Sequence, residues 1–139
     1  MESIIAIYGP ANVGKTHTLC KLIELIAHEQ NIAVGYSGDT KQTFVINGKT
    51  VCICTAGDNE WEVHKALEYC GEKNCDVAVL ASRTKGGSSS TISYFAKENK
   101  MSLKWWRCFD TRYWPDDLRD EIQLTSAKLF RRFIDEMIG

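Results

Sequence analysis

Gly9 and Gly14 stand five residues apart in "GPANVGKT", and Lys15-Thr16 follow the second glycine at once. These residue types at this spacing suit a phosphate chain. Glycines let a backbone turn sharply through angles denied to other residues, so that its amides converge on an anion. A lysine supplies a point charge for β- and γ-phosphates, and a threonine hydroxyl is a hard oxygen ligand for Mg²⁺. The context agrees with that chemistry. "SIIAIY" before the loop is apolar at nearly every position, as in a strand covered on both faces. After it, Leu19, Leu22, Ile23 and Ile26 recur at helical spacing from Lys15 to about Glu29. The loop therefore opens a helix, whose N-terminal dipole favours an anion. The cofactor-binding residues are expected to be Gly9, Asn12, Val13, Gly14, Lys15, Thr16 and His17, with the His17 imidazole facing along the helix. Pro10 removes one amide, at the entry to the loop.

Phosphate chemistry also needs an acid for Mg²⁺ or for water. Asp58 directly follows the apolar run "KTVCICTAG", and Gly57 before it permits a close approach. The metal ligands are thus expected to be Thr16 and Asp58, although Asp58 is equally placed to cap the next helix. Arg83 and Lys85 leave the run "DVAVLA" in a Gly-Gly-Ser loop. Such a cation can neutralise a transferring phosphoryl group or stack on a base, or simply be solvated. The expected catalytic set is Lys15, Asp58 and Arg83. Asp39 and Thr40 in "SGDT" read either as a plain turn or as a loop that closes on the metal. Trp105, Trp106, Tyr113 and Trp114 form the one aromatic cluster, expected to pack an edge strand against the last helix.

Short apolar runs alternating with longer amphipathic ones describe an α/β domain. "IAVGY" at 32–36 reads as a short strand. Asn47-Gly48 joins two β-rich runs as an antiparallel hairpin. Glu60 to about Lys73 reads as a helix, and "RTKGGSSS" as a flexible loop that caps a helix from about Thr91 to Asn99. "LKWWRCF" reads as a strand near an edge. A final helix begins near Asp116, with Leu118, Ile122, Leu129, Phe133 and Met137 as its inward stripe. The six cysteines contain no CxxC pair and no histidine at zinc-ligand spacing, so they read as buried free thiols.

With 139 residues, 44% of them apolar and 25% charged, the chain reads as one globular domain, 1–139. A net charge of −1 exerts no strong pull on nucleic acid or anionic membrane. No leader is evident and no apolar stretch reaches membrane-spanning length, so a cytoplasmic location is expected.

Gly9, Gly14, Lys15 and Thr16, in the order strand–loop–helix, resemble the Walker A element of P-loop NTPases. That resemblance implies a three-layer sandwich with a mostly parallel sheet, here with one antiparallel hairpin strand, and a Mg-nucleotide at the carboxyl edge of the strands. "DTKQTFVINGKTVCICTAGDNEW" is similar to the first-switch, hairpin and Asp-Thr-Ala-Gly region of Ras-like small GTPases. Cys54 stands where that family has its Mg-linked aspartate, and no Asn-Lys-x-Asp guanine reader follows "DVAVLA". "GD" and "ASRTKG" also resemble segments of small uncharacterised bacterial P-loop proteins. The expected activity is Mg-dependent binding and hydrolysis of a nucleoside triphosphate, ATP rather than GTP. The alternatives are a small kinase or a non-catalytic nucleotide-binding module. A protein partner completing the site remains open, because no arginine finger is assured.

Overall fold

The computed structural model describes residues 1–138. Among these residues five strands and four helices follow one another as β1 (Ser3–Tyr8), α1 (Lys15–Gln30), β2 (Lys41–Ile46), β3 (Lys49–Cys54), α2 (Glu60–Glu72), β4 (Val77–Ser82), α3 (Gly87–Glu98), β5 (Ser102–Arg107) and α4 (Asp116–Ile138). The strands form one sheet in the order β2-β3-β4-β1-β5. β1 runs parallel to both β4 and β5, and β3 runs parallel to β4. Only β2 is antiparallel, paired with β3 through a turn in which Asn47 (φ 50°) and Gly48 (φ 79°) take the left-handed conformation expected of them.

Alternate residues of the central strands face two separate cores. On one face Ile5, Ile7, Ile53 and Val79 meet Leu19, Leu22, Ile23 and Ile26 of α1 and Ala127, Phe130 and Ile134 of α4. On the other, Ile4, Ala6, Cys52, Cys54 and Leu80 meet Val63, Ala66 and Cys70 of α2 and Ile92 and Ala96 of α3. The result is an α/β fold with helices on both faces of a mostly parallel sheet. Covered on both faces, β4 is buried at every position, as its apolar run from Val77 to Ala81 requires. No helix among the described residues is long and apolar enough to cross a membrane.

Three elements differ from the sequence expectation. "IAVGY" forms no strand, although β2 is the edge of the sheet on that side. Ile32 is exposed instead, while Val34 and Tyr36 pack onto the α1 core. α3 begins at Gly87 rather than Thr91, so the serines lie in its first turn and not in a loop. Ser88 is buried there, and its hydroxyl accepts from the Arg83 amide at 3.0 Å, which ties the turn down. The inward stripe of α4 is displaced: Gln123, Ala127, Phe130 and Ile134 are buried, whereas Leu118 and Leu129 are exposed. Phe133 and Met137 flank the core, half-buried.

Arg131 links the two helices on the first face. It donates to Glu29 on α1 at 2.9 Å and to Asp135 at 2.7 Å, joining the two helices of that layer. The aromatic residues divide. Trp106 packs against Phe130 and Phe133 as expected, Trp105 meets Tyr8 edge-on, and Trp114 meets Phe109.

Candidate functional site

The chain leaves β1 at Tyr8 and enters α1 at Lys15 through a loop set by close backbone approaches. Gly14 adopts φ 115°, and Asn12 also takes the left-handed conformation at φ 66°. A Cβ on Gly14 would press on Gln123 and Thr111 as well. Gly9 is required for a different reason from the one expected: its φ is not positive, but a Cβ there would lie 2.8 Å from Val13 Cγ2. Val13 is buried, and its carbonyl accepts from Thr111 twice, from the amide at 3.1 Å and from Oγ1 at 3.0 Å. α1 starts with Gly14 as its N-cap, without a side-chain cap and without an acidic residue in its first turn. The first-turn amides and the positive end of the helix dipole are therefore left for an anion.

Lys15 is buried, at 6% exposure, at the head of this helix. Its ammonium donates to the carbonyls of Gly9 at 2.7 Å and Ser82 at 2.9 Å, and to Asp58 Oδ1 at 3.3 Å. Burial lowers the Lys15 pKa below the ordinary lysine range, and the Asp58 carboxylate offsets part of that. Asp58 reaches Lys15 although its strand is not a neighbour of β1. β4 lies between β1 and β3, and the segment after β3 crosses the carboxyl end of β4. Gly57 makes the crossing possible, because a Cβ there would collide with the Ala81 carbonyl.

Asp58 does not cap α2. The cap is Asn59, whose side chain accepts from the Glu62 amide at 2.9 Å, while Glu62 reaches back to the Asp58 amide at 2.9 Å. The Asp58 carboxylate is thereby free to sit between two cations, Lys15 and the Arg83 guanidinium, the latter at 3.5 Å. Arg83 joins the site only through this pairing, and Lys85 is exposed on the turn beyond it.

Thr16 is not hydrogen-bonded to Asp58. Its hydroxyl donates to Asp39 Oδ1 at 3.3 Å, and Thr55 donates to the same oxygen at 2.9 Å. The loop at 39–40 is pinned against β3 as well, since Thr55 Oγ1 accepts from the Thr40 amide at 2.9 Å. Asp39 thus stands closer to Thr16 than the aspartate expected there. The oxygens joined here, from Thr16, Asp39 and Thr55, are all hard donors, which suits Mg²⁺ and disfavours softer ions.

A cavity of about 610 Å³ opens over this arrangement. Asn12, Gly14, Lys15, Thr16, His17 and Asp58 line one side, so the exposed His17 borders it rather than pointing away. The other side is built from residues that motif reading misses: Thr111, Arg112, Tyr113, Arg119 and Gln123. Tyr113 is 97% exposed with φ 69°, an unusual conformation for an aromatic residue. Arg112 is held by Asp110, whose carboxyl this contact keeps below the usual carboxylate range. Arg119 Nε is buried without a partner among the described residues. Gln123 is the polar residue on the buried stripe of α4 and donates to Thr111 at 3.3 Å; the stripe expected from the sequence left it out, so nothing local signalled this wall. A second cavity of about 430 Å³ adjoins the first and shares Arg112, with Thr84, Arg107, Asp110 and Trp114 around it.

Comparison with protein-family models and with curated proteins gives no match for this chain.

Proposed function

We propose that the chain is a small P-loop-type protein that binds a Mg-nucleoside triphosphate, preferentially ATP, and hydrolyses it. The observation that supports this best is the buried Lys15 ammonium at an uncapped helix N-terminus, paired directly with an aspartate at the wall of a polar cavity. A buried lysine held by main-chain carbonyls stabilises a fold poorly, and anion capture explains its position. In this reading the phosphate chain lies along the amides of the 9–16 loop, and Lys15 exchanges its carbonyl partners for phosphate oxygens. Thr16, with Asp58 or Asp39, would hold Mg²⁺, which would supply charge neutralisation at the phosphates. Asp58 orients the attacking water, and Arg83, paired with it, stands ready to follow charge onto the leaving oxygens. Tyr113 and Arg112 offer planar groups on which a base can stack.

The adjoining cavity supports one second reading, a kinase. Arg112 borders both hollows, so an acceptor beside the γ-phosphate would have a pocket with cationic and aromatic walls. Thermal unfolding with ATP, GTP and their deoxy forms, with and without Mg²⁺, tests binding. Mg-ATP is expected to raise the midpoint in the native chain and to leave Lys15→Ala unmoved. No shift with any nucleotide overturns the reading. Labelled γ-phosphate then separates the reactions: free phosphate without an acceptor means hydrolysis, label on an added acceptor means a kinase, and bound nucleotide without either product means a binding module.

A further inference from the structure

On the sheet face opposite α1, three sulfurs converge from three separate segments. Cys52 lies in β3, Cys70 in the last turn of α2, and Cys75 in the turn that enters β4. Their Sγ atoms all lie within 4.8 Å of one another, and all three residues are buried. We propose that Cys52, Cys70 and Cys75 form a binding site for a single thiophilic d¹⁰ metal ion, Zn²⁺ or Cu⁺. Metal–sulfur bonds of about 2.3 Å place three ligating sulfurs about 4 Å apart, so closing on an ion requires movements below an ångström. Among the described residues no histidine or carboxylate joins the three sulfurs, and a soft ion is what an all-thiolate set selects.

The surroundings are those of a supported ligand rather than of inert core cysteines. Thr43 Oγ1 lies 3.5 Å from Cys52 Sγ, and the Tyr69 hydroxyl lies 2.7 Å from the same Thr43 oxygen. With Tyr69 donating to Thr43, the threonine donates to the sulfur, an outer-shell chain of the kind that orients metal ligands. The Lys73 ammonium, 5.6 Å from the Tyr69 ring, supplies positive charge near the thiolates. Cys54, on the same face of β3, packs in the same buried cluster as Cys70 and is a candidate for a fourth sulfur on Zn²⁺. Three sulfurs suffice for Cu⁺. Binding displaces the thiol protons to solvent and ties β3, α2 and the α2–β4 turn to one ion, so metal uptake adds to stability. The site involves none of the residues of the nucleotide cavity and stands independently of that reading.

The full chain, reduced and freed of metal with a chelator, is titrated anaerobically with Zn²⁺, Cd²⁺ and Cu⁺. One ion per chain is expected by native mass spectrometry, with thiolate charge-transfer absorption for Cd²⁺ and a higher unfolding midpoint. Cys70→Ser and Cys75→Ser are each expected to weaken binding at least tenfold, while Cys20→Ser leaves it unchanged. Thr43→Val, with every ligand intact, is expected to weaken it by a smaller factor. Pulsed alkylation of the native chain covers the case in which a core variant fails to fold: metal is expected to protect Cys52, Cys70 and Cys75 and to leave Cys20 reactive. No uptake by the reduced chain, full binding in folded Cys70→Ser and Cys75→Ser, or protection that falls elsewhere overturns the proposal. A disulfide among the three without metal uptake does so too.

Discussion

At the scale of single residues, the site turns on how Asp58 is held. Its carboxylate bridges Lys15 and Arg83 but is half exposed, so it keeps access to water while its charge is balanced. Asp58→Asn preserves size and removes the negative charge. Under the hydrolase reading it is expected to retain Mg-ATP stabilisation in thermal unfolding and to lower phosphate release by about 100-fold or more. Equal loss of binding and turnover would instead make Asp58 a structural partner of Lys15. Gly57 allows a harsher test. With the Ala81 carbonyl occupying the space of a Cβ, Gly57→Ala must push the crossing segment away from β4. It is expected to cost about 3 kcal/mol or more in urea unfolding and to abolish nucleotide stabilisation, because Asp58 and Lys15 separate.

At the scale of elements, the α2 N-terminus frees Asp58 for the site, since Asn59 and Glu62 satisfy the amides there. Asn59→Ala is expected to lower stability by about 1 kcal/mol, measured by urea unfolding, with Lys15 undisturbed and nucleotide affinity changed less than stability. What the sequence discloses about this region follows the range of the interactions. The 9–16 loop, the Asn47-Gly48 turn and the bounds of α1 and α2 depend on neighbours a few residues away, and residue types mark them directly. Asp39 meeting Thr16 and Thr55, or Thr111 bracing Val13 across 98 positions, depends on how strands are ordered. Nothing local encodes that β4 separates β1 from β3. The displaced stripe of α4 has the same origin. Apolar residues lie on two adjacent faces of that helix, and the fit of Ala127 and Phe130 against the α1 layer decides between them. "IAVGY" has strand composition but joins no strand, and Val34 and Tyr36 pack onto the α1 core instead, a tertiary contact that nothing local announces.

At the scale of the molecule, two cores flank one sheet, and truncating either should loosen the whole. Phe130 is fully buried among α1, α4 and Trp106. Phe130→Ala is expected to cost about 3–5 kcal/mol in chemical unfolding. Alkaline stability reports on the buried end of β5. Burial raises the Cys108 thiol from 9.0 to about 11. The unfolded chain therefore ionises this thiol before the folded one does, so its contribution is intact below about pH 9 and is lost as pH rises to about 11. Two pH units correspond to about 2–3 kcal/mol. Unfolding of Cys108→Ala, followed from pH 8 to 11, is expected to show a shallower alkaline decline than the native chain; an identical slope would remove Cys108 as its source. A last consequence follows from the partners of Lys15. Its three N–H bonds are already directed at Gly9, Ser82 and Asp58, so an arriving anion trades places with oxygens that belong to the protein. Affinity at this lysine is then a difference between two solvated-like states, and only ligands with charge to spare can tip it. Nucleosides without phosphate should leave the ammonium where it is. Under the nucleotide reading, the resting protein holds its own stand-in for the phosphate oxygens.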